Sequence, residues 1–66
     1  MAVAKVIEIT SSSAESFEDA IARGITKASE SVREIRGAYV NEQMVRVEGG
    51  EIVEYRADLK ITFVLE

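Results

Sequence analysis

The sequence predicts an α+β domain in the order βαββ: a three-stranded antiparallel sheet, in strand order 1-3-2, wrapped on one helix. Three observations carry this. A β-branched run stands near the start, the middle repeats its apolar residues at steps of three and four, and the residues after Ile52 alternate between apolar and polar. At 66 residues the chain reads as one domain, residues 1–66.

Val3-Ala4-Lys5-Val6-Ile7-Glu8-Ile9-Thr10 is compact and β-branched, and reads as the first strand. Ser11, Ser12 and Ser13 follow as a helix start, with Ser12 and Glu15 at capping-box spacing. A phosphate-cradling loop would need glycines and a lysine there, and neither occurs. From Ala14 to about Ile35, the residues Phe17, Ile21, Ile25, Ala28, Val32 and Ile35 share one helical face. Acids lead and bases follow along this helix, as its dipole prefers. Gly24 weakens it by about 1 kcal/mol relative to Ala, and fits a close approach to a strand or a neighbour. Gly37 reads as the residue that ends the helix.

Ala38 to Glu48 then reads as the second strand, and Gly49-Gly50 as a two-residue turn, because both positions tolerate positive φ. In the third strand Tyr55, Ala57, Leu59, Ile61 and Phe63 alternate with Glu54, Arg56, Asp58, Lys60 and Thr62. The apolar set is expected to pack on Phe17, Ile21, Ile25, Ala28 and Val32.

Composition excludes several classes. Without Cys or His there is no disulfide, thiolate or imidazole chemistry. The charge of -4 leaves no basic stripe for nucleic acid, and no apolar run is long enough to cross a membrane. A cytoplasmic protein is expected. Catalysis would rest on Glu, Asp, Lys or Tyr in a regular sheet without a site-bearing loop, so no enzyme is expected.

The third strand, about 14 residues long, would span roughly 45 Å, whereas a compact domain of this size has a radius of gyration of about 11 Å. One helix cannot cover it, and an uncovered ribbon needs a partner. Copies of the chain itself are the expected partner.

The run Ala4-Lys5-Val6-Ile7-Glu8-Ile9, the Ser-rich helix start with Ser16-Phe17, and the closing Lys60-Ile61-Thr62-Phe63-Val64-Leu65-Glu66 resemble the dodecin family over nearly the whole chain. The resemblance implies a hollow homododecamer with its helices outside, and flavin (FMN, FAD or riboflavin) held for storage or sequestration without catalysis. It also implies a departure. Flavin-binding dodecins stack a Trp from the start of the second strand on the flavin ring, where this chain has Gly37; they use a Gln on the third strand where it has Arg56. Arg33-Glu34-Ile35-Arg36-Gly37-Ala38 is closer to a Trp-lacking branch associated with calcium. The resemblance therefore implies weakened flavin binding, or alternatively a calcium-binding or purely structural shell.

The Gly49-Gly50 turn sets Gln43 opposite Arg56, Asn41 opposite Asp58 and Tyr39 opposite Lys60. Gly37, Tyr39, Gln43 and Arg56 then share one face as ligand candidates. Tyr39 could replace the stacking Trp or pack across strands, and Arg56 could hold a ligand oxygen or pair with an acid. Among the acids Glu42, Glu48, Glu51, Glu54 and Asp58, the metal candidates are Glu54 and Asp58; without EF-hand spacing, an ion site would join several subunits. Glu42 and Arg46 fall on the helix-facing side unless a bulge turns them outward.

Overall fold

A computed structural model describes residues 3–65. Its elements are β1 (Ala4–Ser13), α1 (Phe17–Ser29), β2 (Ile35–Glu48) and β3 (Glu51–Val64). The expected βαββ order holds, and the antiparallel sheet has the order β1-β3-β2. Gly49 and Gly50 sit at φ +59° and +80°, the positive values that a tight hairpin turn demands.

The serine run behaves differently from the sequence expectation. Ser11, Ser12 and Ser13 continue β1, opposite Ala57, Arg56 and Tyr55. The long β3 offers them ladder partners, and that pairing overrides their preference for a helix start. The cap is Ser16, whose hydroxyl accepts from the Asp19 amide at 3.0 Å. Ser13 is buried and ties β1 to the helix. Its hydroxyl accepts from the Glu15 amide at 2.9 Å and donates to Asp19 Oδ2 at 2.6 Å. That bond and the Arg23 guanidinium hold the Asp19 carboxyl below its ordinary range.

At its other end α1 stops at Ser29, short of the expected Ile35. The amides of Ser31 and Val32 both turn back to the Ala28 carbonyl, and Glu34 takes φ 61°. Val32 and Ile35 fit a helical spacing, but Ile35 pairs with Phe63 in the sheet. Burial satisfied both patterns, and strand pairing won.

The core is Ala20, Ala28, Ala57, Leu59 and Ile61, with Ile7, Ile9, Ile21 and Ile35 packed against it. Ala20, Gly24 and Ala28 recur every fourth residue and form the buried stripe of α1. They let the helix lie against the sheet: a Cβ on Gly24 would stand 2.9 Å from Ser11 Cβ and 3.0 Å from Leu59 Cδ1. The large residues therefore flank the contact. Phe17 meets Tyr55 edge to face at 5.2 Å, both half-buried, so the expected Phe17 core position is a flank of the true one.

The chain extends 51 × 19 × 14 Å, while α1 with 13 residues covers only about 20 Å of it. Along β2 only Ile35 and Val45 are half-buried, and the rest of the strand is exposed. The overhang expected from the sequence is present.

Candidate ligand face

Ala57, Leu59 and Ile61 point to the helix, so Arg56, Asp58 and Lys60 point away from it. Which β2 residues join them is decided by bulges. From the turn, Glu48 pairs with Glu51 and Val47 with Ile52; Val53 is then left over on β3, and Arg46 pairs with Glu54. Asn41 is left over on β2 and restores the original register, so Tyr39 pairs with Lys60 as expected. Arg36 is the extra residue of a third irregularity.

Between the first two bulges every β2 residue is turned over. Met44, not Gln43, lies opposite Arg56, and Glu42, not Asn41, lies opposite Asp58. Gln43 pairs with Ala57 and belongs to the helix-facing side, which corrects its expected place beside Arg56. Glu42 and Arg46 are turned outward. From β1, Glu8, Thr10 and Ser12 complete the face, opposite Lys60, Asp58 and Arg56.

An open depression of about 500 Å³ lies here, lined by Thr10, Glu42, Gln43, Met44, Arg56 and Asp58. Arg56 is loosely held, with Nη2 at 3.5 Å from Glu54 Oε1 and Nη1 at 4.0 Å from Met44 Sδ. Glu54 is engaged more firmly by Arg46 Nε at 3.0 Å. Arg46, together with Ser12, keeps the Glu54 carboxyl below its usual value. Asn41 Nδ2 donates to Asp58 Oδ2 at 3.2 Å, so the bulged residue still reaches this face. Tyr39, 73% exposed, lies two residues along β2 from the exposed Gly37, around which nothing stands within 4 Å of a built Cβ.

For the metal candidates, Glu54 and Asp58 lie on one face but about 13 Å apart along the strand. Among the described residues, no group of three or more acids is placed to hold an ion. The sequence reading passed over Thr10 and Glu8, although alternation along β1 could have flagged them. It passed over Met44 because nothing in the sequence marked Val53 as a bulge.

Glu8 is the electrostatically distinctive group. A hydrogen bond to Asp58 and repulsion from it, then desolvation and the Glu42 charge, hold its carboxyl above the ordinary value, against the pull of Lys60. A raised folded-state pKa contributes stability below the unfolded value and loses it as pH rises through the folded one. Glu8→Gln should therefore gain stability relative to wild type as pH rises above the ordinary glutamate range and through the raised folded value. Denaturant midpoints of both proteins across that range test this; parallel profiles would remove the Glu8–Asp58 coupling.

The dodecin family model matches residues 3–66. The chain is 40% identical over 63 residues to calcium dodecin of Mycobacterium tuberculosis, covering 96% of this chain and 89% of that one. A crystal structure of that calcium dodecin, described as calcium-chelating with a novel calcium-binding site, superposes with a TM-score of 0.83 over 97% of this chain and 91% of its own. The dodecin of Streptomyces davaonensis is 26% identical and reaches a TM-score of 0.93 over 98% of this chain and 96% of its own.

Proposed function

The chain belongs to the dodecin family, and we propose that it acts in the cytoplasm as a non-enzymatic homododecameric binding and storage shell with a weakened flavin site. The observation that carries the weakening is Gly37. It offers no π-face where stacking is worth roughly 1–3 kcal/mol per base by nucleobase analogy, and an added Cβ there meets no atom of the described residues within 4 Å. Arg56 only donates hydrogen bonds, so it cannot replace an amide that both donates and accepts. Tyr39, two residues along β2 and 73% exposed, supports residual stacking at most.

A second reading, calcium binding, is favoured by the repelling carboxylates Glu8, Asp58 and Glu42, whose mutual strain a cation would relieve. The calcium dodecin relative supports it as well. Among the described residues too few acids converge within one subunit, so Asp58 and Glu54 would contribute across subunits. Visible absorbance of purified protein against elemental analysis separates the two ligands.

Assembly is expected because α1, about 20 Å long, leaves most of the sheet uncovered in a chain that extends 51 Å. Static light scattering should return the mass of a dodecamer. A single-subunit mass would overturn the shell.

A further inference from the structure

Among the apolar surfaces that the described residues leave uncovered, two differ in shape in a way that lets them fit each other. One is a tip. Val47 and Ile52 face each other beside the Gly49-Gly50 turn at 54% and 50% exposure, flanked by Glu51. The other is a groove of about 360 Å³ along β1, floored by Ile7, Ile9, Ala28 and Val32, with Lys27 at its rim.

Their charges are complementary. Glu51 has no ion pair among the described residues. Among the described residues Lys27 pairs with Glu30 alone, at 3.3 Å, with both side chains largely in solvent. Such an exposed pair is worth little and exchanges readily for a better-shielded partner. The groove also runs beside β1, an outer strand of the sheet, which a partner is needed to cover.

The tip cannot reach the groove of its own subunit. It lies beyond Tyr55, which meets Phe17 in the first turn of α1, whereas the groove opens at Lys27 and Ala28 in the last. Ile9 pairs with Leu59, and Ile52 stands about 23 Å further along β3. The occupant must come from another molecule.

We propose that the β2–β3 hairpin tip of one subunit seats in the β1–α1 groove of a neighbouring copy, with Val47 and Ile52 on the apolar floor and Glu51 against Lys27. This rests on the assembly reading above and specifies one contact within it. Because the two surfaces are different, the contact is heterologous and propagates from copy to copy, closing into a ring when the rotation permits. The overhang of the hairpin then has a use: it carries the apolar pair out to where a second copy can bury it.

The chain has no cysteine, which allows a direct test. Lys27→Cys combined with Glu51→Cys, oxidised mildly in the assembled protein, should give a ladder of covalent multimers on a non-reducing denaturing gel. Either change alone should give none. A double variant that yields no more product than the single ones overturns the contact, and a wild type of single-subunit mass overturns the assembly itself. Charge exchange gives a second reading. Lys27→Glu and Glu51→Lys should each lower the native mass, and their combination should restore it. Failure of the combination to restore a lost mass, or single variants that assemble like wild type, also overturns the contact.

Discussion

Leu59→Ala should lower the stability of the fold by about 2–5 kcal/mol, as a denaturant midpoint shift at constant slope. Leu59 is fully buried in the centre of β3, and its Cδ1 lies against the bare backbone at Gly24. The surroundings have little freedom to collapse into the void. Ala57 and Ile61 are equally buried on either side, and α1 is pinned by its small-residue stripe. Residual cavity therefore adds to the lost burial. A shift below about 1 kcal/mol would mean that α1 moves in to fill the space, and that the close helix–sheet contact is softer than its geometry implies.

Gly37→Trp should tighten riboflavin binding by roughly ten- to a hundredfold, the equivalent of one good stacking contact. The position accepts a side chain. It is exposed, has no positive φ, and an added Cβ meets nothing within 4 Å. The indole would stand on the face that carries Tyr39 and Lys60, toward the depression at Arg56 and Asp58. Quenching of riboflavin fluorescence on titration reads both proteins. Tight quenching by wild type at submicromolar concentration would show that a stacking Trp is not what decides affinity here. Equal weak quenching by both would locate the ligand away from Gly37.

The ligand face shows where sequence reading reaches its limit. Arg56, Asp58 and Lys60 were legible, because strict alternation with Ala57, Leu59 and Ile61 admits only one arrangement of faces. Tyr39 was placed opposite Lys60 from the turn alone, and the structure agrees, but only because two bulges cancel. Between them Gln43 was lost from the face, while Met44, Glu42 and Arg46 were gained. A bulge is an agreement between two strands about which residue to leave unpaired, and Val53 and Asn41 carry no mark of it individually.

The helix teaches the same lesson in another form. Phe17, Ile21 and Ile25 set its period, and that period was enough to identify an amphipathic helix. Which part of the stripe touches the sheet depended on how near the backbones come. Ala20, Gly24 and Ala28 permit that approach; Ala28 and the close approach at Gly24 were legible in the sequence, whereas Ala20, small and outside the large apolar stripe, was not.

By itself, then, the sequence determined the βαββ order, the Gly49-Gly50 turn, the long overhanging strand and the absence of thiol and imidazole chemistry. Each of these follows from local periodicity, backbone permissiveness or composition, which need no partner to be read. Tertiary structure alone decided that Ser11 to Ser13 extend β1, that α1 ends at Ser29, and that Met44 rather than Gln43 faces Arg56. Those outcomes are set by which distant backbone groups are available to pair, and a hydrogen-bond ladder between strands far apart in the chain outweighs the local preference of any single residue.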